Sequence, residues 1–116
     1  MKSSLSTIQA LRLWQAVNLE QVLDDQPDLS VRQVTILLTV YLEPPPHTVR
    51  GLAAKLSVSK PVITRALDSM GKLELISRRR DESDRRNVLI QRTVKGSLYL
   101  ERLADVIAKH AGGLTP

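Results

Sequence analysis

The sequence predicts a mainly α-helical fold with one small β-hairpin, on three observations. Apolar residues recur at helical spacing in several stretches, as Ile63, Ala66, Leu67 and Met70 do within 59–72. Two extended runs, 75–80 and 88–92, flank a charged six-residue tip, Asp81 to Arg86, which reads as a hairpin with a polar loop. The third observation is where the charge sits. Residues 55–92 hold ten Lys or Arg against five Asp or Glu, whereas the rest of the 116-residue chain holds seven against seven. The net charge of +5 therefore belongs to the stretch with the hairpin. That favours a polyanion-binding surface, the plainer alternative being a solvated run of charges.

The length is that of one domain, large enough for a core but not for a second catalytic domain. Residues 1–116 are therefore read as a single domain. Without cysteine there are no disulfides, thiolate metal ligands or thiol redox sensors. His47 and His110 lie far apart in sequence with no neighbouring ligand cluster, so neither a metal nor a cofactor is expected. No nucleophile with a base, Gly-rich phosphate loop or apolar carboxylate pair appears, and the expectation is a non-enzyme. Arg12, Gln15 and Asn18 interrupt the first apolar stretch, which excludes a signal peptide or membrane span and points to the cytoplasm. Only Trp14, Tyr41 and Tyr99 are aromatic, too few for a single-strand stacking platform.

Residues 5–24 carry more apolar positions than one helical stripe needs, among them Leu5, Ile8, Leu11, Trp14, Leu19 and Val22. Such a helix either buries one face on its own domain and the other on a second subunit, or is a central core helix. Ser30 is placed to cap a helix over 31–43 whose core face is Val34, Leu37, Leu38, Tyr41 and Leu42. Pro44 to Pro46 end it as a stiff connector, with a short polyproline motif as the alternative. A brief strand over 47–49 follows, and Thr48 caps a short helix carrying Val49, Leu52, Ala53 and Leu56. Ser57-Val58-Ser59 then forms a turn into the helix 59–72, with Ser59 as its cap and Pro61 in its first turn. Two short helices around a three-residue turn, the second with Lys60, Thr64, Arg65, Asp68 and Lys72 on its polar face, make a helix-turn-helix. Gly71 would cost roughly 1 kcal/mol inside a helix, so the helix ends either there or a few residues later. Thr93 caps the last helix, 94 to about 110, and the tail AGGLTP reads as a helix stop followed by disorder.

The run LSVSKPVITRALDSM followed by LISRRRDESDRRNVLIQRTVKG resembles the winged-helix domain of the MarR (multiple antibiotic resistance regulator) family over about residues 30–97. Most specific are Asp81, Asp84, Arg85 and Arg86 leading into a strand and then Thr93-Val94-Lys95-Gly96. The resemblance implies a winged helix-turn-helix flanked by N- and C-terminal dimerisation helices, 5–24 and 94–111. Between them lies a DNA-binding lobe, 30–93, with its wing at 75–92. It implies a homodimer on a pseudo-palindromic double-stranded DNA site, with helix 59–72 in the major groove and wing 81–86 in the minor groove. Ser57, Ser59, Thr64 and Arg65 match the family's recognition-helix contacts, Arg86 its minor-groove arginine, and Asp84 the acid that braces it. The sequence departs from the family at Glu74, where Gly is usual, and at Gly71, where a helix former is usual. It is also shorter than most members at both helical ends, so nothing in it supports the small-molecule effector such regulators often take.

The expected function is sequence-specific transcriptional regulation, as a repressor that occludes a promoter. Thr64 and Arg65 would read bases, while Lys60, Lys72 and Arg79 would hold phosphates. Arg85 either joins them or pairs with Asp81 or Glu82. Because Arg78, Arg79 and Arg80 alternate along a strand, at least one is structural. Two alternatives remain open. One is a weakly specific architectural DNA binder, and the other a winged-helix protein-interaction module that does not bind DNA.

Overall fold

Short polar side chains set where most of the helices begin. In the computed structural model, which describes residues 4–114, α1 spans Thr7–Leu23 and α2 spans Val31–Leu42. Each starts with a reciprocal serine–glutamine capping box. At α2 the Ser30 hydroxyl accepts from the Gln33 N–H (3.0 Å) while the Gln33 amide oxygen accepts from the Ser30 N–H (2.7 Å). The chain continues through β1 (His47–Thr48), α3 (Val49–Leu56), α4 (Lys60–Lys72), β2 (Ile76–Arg80), β3 (Val88–Arg92) and α5 (Val94–Gly112). Thr48 and Thr93 cap α3 and α5, each hydroxyl accepting a first-turn N–H at 2.9 Å, from Gly51 and Gly96. The expected disorder of the tail falls partly on residues 115–116, outside the described residues.

The polypeptide divides into two compact units. One comprises Leu29–Tyr99; the other combines the residues up to Asp28 with those from Leu100 onward. In the first, β3 is the central strand of an antiparallel sheet ordered β1-β3-β2, with Arg78 opposite Ile90 and His47 opposite Ile90 on the other side. The hairpin is thus extended by a third strand, because two residues after the prolines pair with β3. Beneath the sheet lie Ile36, Leu37, Ile63, Leu67, Met70 and Leu75, all essentially without exposed surface. Each such side chain contributes about 1.5–3 kcal/mol through burial.

The core face of α2 differs from the sequence expectation. Ile36, Leu37, Thr39 and Val40 are buried, Val34, Leu38 and Tyr41 are half-buried, and Leu42 is 77% exposed. The buried stripe is rotated because Thr39 can enter the core: its hydroxyl donates to the Thr35 carbonyl at 2.8 Å and leaves no polar group unpaired. The end of α4 is settled by backbone geometry. The helix runs past Gly71 to Lys72, Glu74 adopts a left-handed conformation (φ 61°), and the Leu75 N–H donates to the Met70 carbonyl while the Glu74 N–H donates to Gly71. This pair of bonds is a Schellman ending, with glutamate where glycine is favoured.

In the second unit, α1 and the later part of α5 are joined by ion pairs of Arg102 with Asp24 and of Lys109 with Glu20, and by a hydrogen bond between the His110 ring and Glu20 at 2.6 Å. The hydrogen bonds from Lys109 and then His110 hold the Glu20 carboxyl below its ordinary pKa. Val17 alone is fully buried on α1, while Ile8, Leu11, Trp14, Leu19, Val22 and Leu23 are all exposed. Within one chain α1 is therefore not a central core helix. No helix among the described residues is long and apolar enough to cross a membrane.

Candidate nucleic-acid interface

The turn between α3 and α4 is made by a serine in a conformation few residues adopt. Ser57 is left-handed (φ 55°), and the Val58 N–H bonds back to the Ala53 carbonyl at 3.0 Å, so the chain reverses within three residues. The Ser57 hydroxyl is left at the surface. Ser59 stands at the N-cap of α4 in extended conformation, but its hydroxyl makes no capping bond, contrary to the sequence expectation. Pro61 relieves the need for it: with no N–H in the first turn, one fewer donor has to be satisfied.

From that start the buried stripe Ile63, Ala66, Leu67 and Met70 turns the opposite face outward. Lys60, Thr64, Arg65, Asp68 and Lys72 are all exposed. At a rise of 1.5 Å per residue, Lys60 and Lys72 lie about 18 Å apart along the helix. Lys60, Arg65 and Lys72 make no ion pair among the described residues, so three cations face solvent uncompensated. Lys72 also borders a shallow cleft with Gly71, Glu74 and Ser77, away from the start of the helix. Asp68 is neutralised by Arg78 of β2 at 2.8 Å.

The alternation along β2 divides its arginines. Arg78 follows buried Ile76 by two residues, so it leans toward α4 and reaches Asp68. Arg80 donates from Nη1 to the Arg85 carbonyl at 2.9 Å and braces the tip. Arg79 lies on the other face, exposed and without an ion pair among the described residues. Two of the three therefore have structural partners.

Two aspartates shape the wing tip. Asp81 Oδ1 accepts from the Ser83 N–H (2.9 Å) and hydroxyl (2.7 Å), and the Ser83 hydroxyl bond is the main reason its carboxyl is held below the ordinary range. Asp84 accepts from Arg86 three times: Nε to Oδ1 at 3.1 Å, Nη2 to Oδ2 at 3.2 Å, and the backbone N–H to Oδ1 at 3.1 Å. The Arg86 side-chain bonds, then its N–H, lower the Asp84 pKa, and the charge of Arg50 adds to the effect. A side chain that is 80% exposed thus has a fixed direction at the tip of the hairpin. Arg85 pairs with neither Asp81 nor Glu82 and remains exposed.

The structure places Ser57, Ser59, Lys60, Thr64 and Arg65 on the turn and the outer face of α4, and Asp84, Arg85 and Arg86 at the wing tip. Sequence reasoning missed Arg50 and, although it placed Asp68 on the polar face of the helix, missed its partner. Arg50, on the first turn of α3, is near enough to act on Asp84, and Asp68 is tied to the wing strand. Neither has a signature at short sequence range. Among the described residues no three His, Cys, Asp or Glu side chains converge as a metal site.

A protein-family model, the MarR family, matches residues 29–88. No curated protein matches the chain. Among solved structures, the transcriptional regulator BldR from Sulfolobus solfataricus is 27% identical, with a TM-score of 0.65 over 92% of this chain and 76% of that one. A MepR–DNA complex from S. aureus superposes with a TM-score of 0.74 at 22% identity, covering 88% of this chain and 81% of that one. The PcaV transcriptional regulator from Streptomyces coelicolor gives 0.66 at 24% identity over 88% and 74%.

Proposed function

This chain belongs to the MarR family, and from that premise we propose that it is a transcriptional regulator binding double-stranded DNA as a homodimer. In this reading α4 enters the major groove of a pseudo-palindromic site, with Thr64 and Arg65 at base edges and Ser57, Ser59, Lys60 and Lys72 toward the phosphates. The wing enters the adjacent minor groove, and occupation of a promoter represses it. The observation that carries the reading is Arg86, aimed outward by three bonds to Asp84 at the end of a hairpin. A narrow minor groove concentrates negative potential, and an oriented guanidinium is suited to it. Arg79 and Arg85, exposed beside it, add sequence-independent attraction. The similarity to a MepR solved on DNA supports this mode, and the exposed apolar side chains of α1 support a second copy as the partner.

Selection of bound duplexes from a random pool tests the proposal. The expected result is a palindromic motif with half-sites about one helical turn apart. A ratio of specific to random affinity near one at physiological salt would favour an architectural binder instead. Absence of binding even at low salt would favour a protein-interaction module.

A further inference from the structure

The base of the wing is held by one residue that neither reads DNA nor fills the core. Thr93 follows the last residue of β3. Its hydroxyl donates to the Glu74 carbonyl at 2.8 Å, just beyond α4, and accepts from the Gly96 N–H at 2.9 Å, in the first turn of α5. Its backbone is gripped from α2: the Tyr41 hydroxyl donates to the Thr93 carbonyl at 2.5 Å and accepts from the Thr93 N–H at 2.8 Å. Arg92, one residue earlier, lies over the Tyr41 ring at 5.5 Å and donates to the Val40 carbonyl at 3.2 Å. The fit is close, because a Cβ at Gly96 would collide with the Leu75 carbonyl and the Tyr41 hydroxyl. Four elements thus meet at one residue, through its hydroxyl and its backbone, and two of them, α4 and the wing, carry the cations assigned to DNA.

We propose that Thr93, clamped by Tyr41, is a positioning residue for DNA binding that sets the wing relative to α4. The inference rests on the DNA-binding function proposed above. Glu74 is the left-handed residue through which the chain leaves α4, so a bond to its carbonyl fixes the direction in which β2 departs. Arg86 is displaced by any rotation at this base, amplified along the length of the hairpin. Loss of the clamp therefore removes the minor-groove contact while leaving the outer face of α4 intact.

The test is a double-mutant cycle on the selected DNA site, with the full-length chain held at a temperature where thermal melts show every variant folded. Thr93→Val removes the hydroxyl at nearly constant shape, Thr93→Ser retains it, and Tyr41→Phe removes the clamp without touching Thr93. Thr93→Val and Tyr41→Phe should each weaken specific binding several-fold and leave affinity for random DNA nearly unchanged, and Thr93→Ser should restore it. In an Arg86→Ala background, Thr93→Val should have no further effect, because the contact it misplaces is already gone. Full specific binding by both Thr93→Val and Tyr41→Phe, or losses additive with Arg86→Ala, would overturn the positioning role while leaving the DNA-binding function standing. Failure of the wild-type chain to bind any selected duplex would overturn the function itself and this inference with it.

Discussion

Asp68 and Arg78 form an ion pair at 2.8 Å that joins the outer face of α4 to the first strand of the wing. The pair serves two ends. Under the proposed DNA-binding function it places a cation against an acid that would otherwise repel phosphates from α4, and it engages the guanidinium of Arg78, which is still partly exposed.

Asp68→Ala should therefore release Arg78 and strengthen binding to random DNA. The slope of log affinity against log salt should steepen by about one, as for one added phosphate contact. The fold should change little, since an exposed pair contributes about 0–1 kcal/mol. A salt titration with an unchanged slope would show that Arg78 stays out of reach of the backbone.

Glu74→Gly should stabilise the protein by about 0.5–1 kcal/mol, because glycine occupies the left-handed region without the Cβ penalty that glutamate bears. The loss of its ion pair with Lys95, long at 3.8 Å and exposed at both ends, offsets little of this. Thermal unfolding reads the effect as a rise of a few degrees. A fall in melting temperature would mean that the left-handed strain is relieved elsewhere.

Asp84 should titrate below its ordinary value, and Arg86→Ala should return it toward that value, since the Arg86 side chain is the main cause of the shift. The folded pKa is depressed, so the bracing bond is fully present above the unfolded pKa and is lost as pH falls through the folded one. Carboxyl chemical shifts followed through acid pH would report it. An Asp84 midpoint insensitive to Arg86→Ala would remove the brace from the account of the wing.

Trp14→Glu, on the exposed apolar surface of α1, should shift the chain from dimer to monomer in sedimentation velocity, with weaker binding to a palindromic site. A charge buried without a partner is among the most destabilising changes an interface can undergo. Unchanged mass and unchanged affinity would place the interface elsewhere.

Much of this fold was legible because its signals are short in range. Ser30, Thr48 and Thr93 cap helices as the sequence predicted, since each hydroxyl meets an N–H only three residues away. The buried stripe of α4 followed from helical spacing, and the bounds of β3 matched the sequence reading. The bond between Asp84 and Arg86 spans two residues and is the one that the family resemblance implied.

What the sequence determined by itself is therefore the set of elements, the localised positive charge and the family pattern that joins turn, helix and wing. Tertiary structure decided which members of each set are used. Leu42 and Val40 are equally apolar, yet only packing against α4 and β3 turns Val40 inward and Leu42 out. Three consecutive arginines are alike in sequence until Asp68, ten residues before Arg78, takes one and the Arg85 carbonyl takes another. The end of α4, open between Gly71 and Glu74 in the sequence, falls at Lys72 with a left-handed glutamate beyond it, and Thr93, nineteen residues further on, bonds the Glu74 carbonyl. Helical and hairpin periodicity describe neighbours along the chain. The choice among equivalent residues depends on partners that only folding brings near.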